Sequence, residues 1–313
     1  MARMKVAIVG VGKIAIDQHV PSIAETGAMD LAALVSQRGV TLPGIPTFRT
    51  QGEMLAAMPE IGAVAICTPP DIRYGYVREA LKAGRHVLME KPPTASLMEL
   101  ADLEALARTT GRALFATWHS QFNTAVDAAK TMLWGAAIER IQVTWKEDVR
   151  RWHPGQEWIW QPGGFGVFDP GINALSILTK ILPFPTFVSK AVLQFPANRD
   201  TPIAASLALR APSDVGLSGY GAEFDWRQEG EQTWTIAIDL KDGRHVELLR
   251  GGTCLTINGV ATIDETDQEY RHIYRRFADL VMTSGIDVDA APLRIVADSF
   301  LIGRRAVTDA FDW

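Results

Sequence analysis

Val6-Ala7-Ile8-Val9-Gly10-Val11-Gly12-Lys13-Ile14-Ala15 is the stretch that decides the fold. A continuous apolar run bounded by glycine is what a strand buried on both faces of a parallel sheet presents. The Gly-x-Gly-x-x-Ala pattern then falls between a predicted strand and a predicted helix, the context in which it signals dinucleotide binding. Gly10 permits the tight turn, Gly12 lets the backbone approach a pyrophosphate, and Ala15 allows helix to pack on strand. Lys13 and Ile14, at the start of the helix, count among the cofactor contacts, because phosphates settle at its positive end. A glycine-rich turn without a ligand would use the same letters, so the strand and helix on either side carry the reading.

Outward from this motif the pattern repeats. Strands are predicted over 31–35, 63–67, 86–89 and 114–117. Between them lie a helical segment that Pro21 interrupts and helices over 54–58, 74–83 (stopped by Gly84) and 96–109. Strands and helices alternating at this spacing build βαβ units and a parallel sheet, so residues 1–120 are expected to form a Rossmann dinucleotide-binding domain. The pattern changes after that. A helix over 124–133 precedes strands over 141–149, 187–195, 204–209, 221–227, 233–239 and 246–249, with turns at Asp242-Gly243 and Asn258-Gly259. Such turns favour antiparallel pairing. Helices over 269–283 and 292–311 close the chain. Residues 121–313 are therefore expected to form a second, α+β domain that binds substrate.

Composition narrows the class. With 47% hydrophobic and 21% charged residues and a net charge of −5, the chain is globular and carries no basic field that would favour nucleic acid. Two cysteines, Cys67 and Cys254, suit a reducing compartment and make no disulfide framework. The opening residues lack a signal-peptide core, and no run reaches the roughly 18 apolar residues of a membrane helix. A cytoplasmic protein without membrane contact is expected. No cluster of His, Cys and carboxylates has metal-ligand spacing, so no metal site is expected.

Cofactor choice is read at the end of the second strand, Val35-Ser36-Gln37-Arg38, where NAD-specific domains place an acid on the ribose hydroxyls. None is present. Ser36 can hydrogen-bond a 2′-phosphate and Arg38 can pair with its charge, with Gln37 between them. NADP is therefore expected to be preferred over NAD. The alternative is that Arg38 is only a solvated loop residue.

Cys67-Thr68-Pro69-Pro70, followed by Ala80-Leu-Lys-Ala-Gly84-Arg-His-Val-Leu-Met-Glu90-Lys91-Pro92-Pro93, resembles the glucose–fructose oxidoreductase and inositol dehydrogenase family. The resemblance extends over essentially the whole chain. It implies a Rossmann domain followed by a largely antiparallel open-faced sheet, in agreement with the independent reading of the two halves. It also implies that Cys67, Thr68, Pro69, Glu90 and Lys91 border the cofactor. Trp145-Lys-Glu147 through Trp152-His153 to Trp160, and Gly166-Val-Phe-Asp169-Pro-Gly-Ile-Asn173, are similar to the members that oxidise aldoses such as L-arabinose and D-galactose at C1. The activity implied is oxidation of an aldopyranose to its lactone, with D-fucose a further plausible substrate. Lys91 matches the lysine of the family's Glu-Lys-Pro motif beside nicotinamide and substrate, and Asp169 matches its active-site aspartate. A histidine found four residues later in inositol dehydrogenase-like members is Asn173 here, which moves proton removal towards Lys91 and Asp169. By the same resemblance, the open sheet face is expected to pair copies of the chain into a homo-oligomer.

The residues themselves support such chemistry. A partly desolvated lysine near a cationic ring should ionise less readily and accept a proton. Asp169-Pro170 also reads as a helix start, aspartate at the N-cap and proline at the first helical position. Asn173, four residues on, would share a helical face with Asp169. The 145–160 segment holds four of the nine tryptophans, whose faces suit the C–H face of a sugar. Period-2 counting puts Val143, Trp145, Glu147 and Val149 on one side of a strand, leaving Glu147 a carboxylate on an apolar face that needs a partner or a ligand. Glu147, Trp152 and His153 are expected to bind sugar, with Trp234 and His119 as further contacts. His19 and His272 read as structural. The rival function is a sugar sensor that binds NADP without turnover, against which the pairing of Lys91 with Asp169 argues. A dehydrogenase for an inositol or another sugar is the remaining alternative.

Overall fold

The computed structural model describes residues 3–312. The chain divides into two compact units. One comprises the residues up to His119 together with Glu269–Ala290, and the other runs from Ser120 to Gln268 and resumes at Ala291.

The first unit is built on a seven-stranded sheet whose neighbouring pairs are all parallel. The strand Met4–Val9 lies inside it, between Met29–Val35 and the central strand Ile61–Ile66, with Val6, Ala7 and Ile8 wholly buried. His86–Glu90 and Leu114–Thr117 extend the sheet on the side of Ile61–Ile66. Helix ends follow local chemistry. Ser96 and Glu99 form a reciprocal capping box that starts Leu97–Thr110, and Gly111, in the left-handed region, ends it. Pro21 does not interrupt the first helical segment. A π-helical turn over Ala15–His19 passes into an α-helix over Val20–Thr26 with proline in its first turn, where a missing N–H costs nothing. The helix expected from Tyr74 begins one turn earlier, at Pro70.

A single boundary near residue 120 does not describe the chain. Helix Glu269–Thr283 buries Tyr270, Ile273, Tyr274, Phe277 and Leu280 within the first unit, and Ile286–Asp287 adds the outermost strand beside Leu114–Phe115. Periodicity identifies the buried face of this helix. It cannot say which unit that face meets.

The second unit holds a nine-stranded sheet in which six of the eight neighbouring pairs are antiparallel. Two of its strands, Cys254–Ile257 and Val260–Asp264, form a hairpin on the expected Asn258-Gly259 turn, where both residues have positive φ. The expected final helix stops at Ile302. Arg304–Thr308 instead pairs with Val192–Pro196 as an edge strand. The strand expected over 141–149 runs Ile138–Lys146 and gives way to a helical turn, Val149–Trp152, capped by Asp148. Among the described residues, no helix is long and apolar enough to cross a membrane.

Candidate active site

The two glycines of the motif do different things. Gly10 has φ +89°, and a Cβ there would lie 2.8 Å from the Thr68 amide nitrogen, so the fold itself demands glycine. At Gly12 a Cβ would meet nothing within 4 Å and φ is unexceptional. Its small size is not required by any neighbour in the protein, and it leaves a cradle open to a ligand. Thr68, on the facing loop, is buried, and its Oγ1 has no hydrogen-bond partner, a further sign of an unsatisfied ligand position. Lys13 and Ile14 are exposed at the helix start, with Lys13 paired to Asp17. These residues fit the pyrophosphate of a dinucleotide. Gly12→Ala is therefore expected to leave the melting temperature of the cofactor-free protein unchanged while weakening dinucleotide binding by about tenfold or more, equivalent to about 1.4 kcal/mol. Gly10→Ala should lower that melting temperature. Thermal melts and NADPH fluorescence titration read both.

At the end of the second strand, Ser36 is buried and its Oγ accepts the Val40 amide at 3.0 Å. Gln37 donates to the Tyr76 hydroxyl at 3.2 Å, and its carbonyl accepts from Arg49 at 2.9 Å. Arg38 is exposed and makes no hydrogen bond or ion pair with the described residues.

Strand His86–Glu90 is buried along its whole length and ends on a carboxylate. Glu90 Oε1 accepts from His19 Nε2 at 2.9 Å, the Tyr270 hydroxyl at 2.9 Å and Thr117 Oγ1 at 3.0 Å. Oε2 accepts the Lys91 amide at 3.1 Å. Burial alone would raise the carboxyl pKa. The hydrogen bond and charge of His19, with the charges of His119 and Arg73, bring it down to about 2. Burial likewise opposes charge on His19, but Cys67, Tyr274 and Glu90 hold its pKa well above the usual value. The other nitrogen of His19 lies 2.8 Å from the Tyr274 hydroxyl. His19 is thus buried and bonded at both ring nitrogens, as a partner of the carboxylate adjoining Lys91.

Lys91 is half-buried and joined to Pro92 by a cis peptide bond. His119 Nδ1 is 2.6 Å from Glu269, and its ring stacks on Tyr270 with centroids 5.7 Å apart. Burial lowers the His119 pKa, but the Glu269 charge and hydrogen bond raise it overall, against the opposing charge of Lys91.

In the second unit, Glu147 is 4% exposed and receives two indole N–H bonds, from Trp226 at 3.2 Å and Trp234 at 2.9 Å. Two indole N–H groups therefore help compensate the burial of this carboxylate. The rings form two groups that meet at Glu147: Trp234 against Trp152 (5.4 Å) and Trp145 (6.0 Å), and Trp226 against His153 (5.2 Å). His153 Nε2 lies 3.4 Å from Asp169 Oδ2. Glu147, His153 and Asp169 are thereby gathered around Trp226.

Asp169 is not the N-cap. Helix Phe168–Ile181 starts two residues earlier than the Asp-Pro pair suggests, with Val167 at the N-cap and no side-chain capping bond. Asp169 sits in the first turn, buried, with half-buried Asn173 one turn on. The two share a helical face, as the i,i+4 spacing requires.

Four residues central to this geometry were not singled out from the sequence: Tyr270, Tyr274, Arg73 and Trp226. A signal existed for the tyrosines, two hydroxyls at i,i+4 on the buried face of helix Glu269–Thr283. Another existed for Arg73, a cation on the buried face of helix Pro70–Lys82.

Residues 4–117 match the model of an oxidoreductase family with an NAD-binding Rossmann fold. A galactose 1-dehydrogenase from Pseudomonas fluorescens is 44% identical over 99% of both chains. The chain belongs to the glucose–fructose oxidoreductase and inositol dehydrogenase family of oxidoreductases. The crystal structure of a D-galactose-1-dehydrogenase from Rhizobium etli superposes with a TM-score of 0.94 at 52% identity, covering 100% of this chain and 99% of that one. A 3-ketoreductase from Actinomadura kijaniata, in complex with NADP and TDP-benzene, superposes at 0.83 over 98% of this chain and 99% of that one. At 18% identity that likeness speaks for the fold alone. The expected Rossmann domain and largely antiparallel second sheet are those of the family.

Proposed function

We propose that this family member is an NAD(P)-dependent aldose 1-dehydrogenase acting on D-galactose and on sugars with the same C1–C4 configuration, L-arabinose and D-fucose among them. The observation that carries the reading is full-length similarity to two galactose dehydrogenases, taken with the tryptophan-walled cluster of Glu147, His153 and Asp169. A site that reads the shared hydroxyls discriminates weakly at C5, since a small added group is worth about 1–3 kcal/mol.

When bound, the dinucleotide supplies the hydride acceptor. Gly10, Gly12, Lys13, Ile14, Cys67, Thr68 and Pro69 hold its phosphates and ribose, and Ser36, Gln37 and Arg38 receive the adenosine end. Lys91 takes the C1 hydroxyl proton or relays it, and Asp169 with Asn173 orients the hydroxyl and balances the charge. Glu147, His153 and His119 accept or donate to the remaining hydroxyls, while Trp152 and Trp234 cover the apolar face of the ring. We further assign a homo-oligomer through the open face of the second sheet, which light scattering after size-exclusion chromatography reads.

The test follows nicotinamide absorbance with NADP and NAD against D-galactose, L-arabinose, D-fucose, D-glucose and myo-inositol. Rapid reduction with the galacto-configured sugars is expected. Tight NADP binding with no reduction by any sugar would point to a sensor.

The unpaired Arg38 supports NADP preference. Arg38→Ala is expected to weaken NADP by about 10- to 100-fold, the worth of a charge-assisted phosphate contact of about 1.5–3 kcal/mol, and to leave NAD within about twofold. Equal losses for both cofactors would remove the 2′-phosphate assignment.

A further inference from the structure

We propose that Arg73 is a positioning residue for the reaction, a buried guanidinium that ties the Thr68 loop to the Lys91 turn. Arg73 is 2% exposed and lies on the buried face of helix Pro70–Lys82, with Pro70, Val77, Ala80 and Leu81. Its Nε donates to the Thr68 carbonyl at 3.0 Å, and Nη2 reaches the same oxygen. Nη1 donates to the carbonyls of Glu90 and Pro92, on either side of Lys91. One rigid fork therefore holds two chain segments, each following one of the adjacent parallel strands Ile61–Ile66 and His86–Glu90.

The chemistry favours arginine specifically. Carbonyls at the ends of parallel strands have no next residue in the ladder to bond, and burying them unpaired is costly. A planar guanidinium presents donors in fixed directions and satisfies three carbonyls on two segments at once. A lysine keeps the charge but is a point donor on a flexible stem. The cation also contributes to holding Glu90 ionised, and the Glu90 carboxylate in turn holds the Lys91 amide. The Lys91 backbone is thus gripped on both sides, by Arg73 through the flanking carbonyls and by Glu90 through the amide. The same guanidinium fixes the loop that carries the unsatisfied Thr68 hydroxyl. Its consequence is that the distance between a cofactor-loop residue and the motif lysine depends on one side chain that touches neither substrate nor cofactor.

The turnover part of the test rests on the aldose dehydrogenase reading, and the exchange part does not. Arg73→Lys and Arg73→Gln, full-length and both with and without NADP, are compared with the parent by amide hydrogen exchange. Exchange about tenfold or more faster is expected in peptides covering 64–72 and 86–94, with the second unit unchanged. Parent-like exchange in either segment overturns the proposal. With D-galactose, the expected change is a kcat lower by about 10- to 100-fold with sugar KM within about twofold, the signature of a misplaced catalytic group rather than of lost binding. A parent-like kcat in a folded variant also overturns it. If the parent itself oxidises no aldose, the functional reading fails, and the exchange result alone decides the clamp.

Discussion

Lys91→Met is expected to lower kcat with D-galactose by about 10³-fold, within the 10²- to 10⁴-fold that a positioned general base contributes. The substitution keeps an unbranched stem reaching to the Cε position and removes the amino group that can take a proton. The Lys91 amide, bonded to Glu90, and its peptide bond to Pro92 belong to the backbone and are untouched. NADP affinity should therefore stay within about threefold, since the glycine cradle and the Thr68 loop carry the phosphate contacts. Steady-state kinetics with NADPH fluorescence titration separates the two quantities. Activity within about threefold of the parent would shift proton transfer to Asp169. In that case Asp169→Asn should carry the large loss instead.

The second large effect is on stability. Glu90→Leu strips the partner from four donors: His19, Tyr270, Thr117 and the Lys91 amide. Removing one member of a buried ion pair costs about 3–5 kcal/mol. A fall in melting temperature on the order of 10 °C is expected, at about 2–4 °C per kcal/mol for units of this size. Glu90→Gln retains shape and two acceptor sites, and should lose less. The carboxylate also fixes the pH dependence. Its folded pKa of about 2 lies below the ordinary glutamate value of 4.5, so the stabilisation is present above pH 4.5 and is lost as pH falls towards 2. A shift of that size corresponds to ~3 kcal/mol. The difference in stability between the parent and Glu90→Gln should therefore shrink across that interval, as denaturant melts at pH 7, 4 and 3 would read. A constant difference would mean that Glu90 is not ionised in the folded protein.

Local sequence went far in this protein because its signals are short-ranged. The run Val6–Val9 with Gly10 and Gly12 specified a buried strand, a tight turn and an open cradle within ten residues. Alternation over Val143, Trp145 and Glu147 placed a carboxylate on the buried side of a strand, and Glu147 is buried, one residue past the end of that strand. Asp169 and Asn173 fall on one face of one helix by spacing alone, although the helix begins two residues before the Asp-Pro signal suggests. Side chains that interact within one or two turns, or across alternate strand positions, leave a period that can be counted.

Tertiary structure decided the rest. Two indoles that donate to Glu147 come from 79 and 87 residues away. Side chains that hydrogen-bond Glu90 come from 71, 27 and 180 residues away. Helix Glu269–Thr283 shows its apolar face in the sequence, yet its return to the first unit depends on which surface best buries that face. Arg73 reads as an ordinary helical arginine until the ends of two strands meet around it. The sequence by itself determined the alternation of strands and helices in the first unit, the turn-rich second unit and the cofactor motif. Which buried charge meets which donor was decided by packing, because a desolvated carboxylate takes whatever compensating groups the fold brings within about 3 Å, and sequence distance places no limit on that.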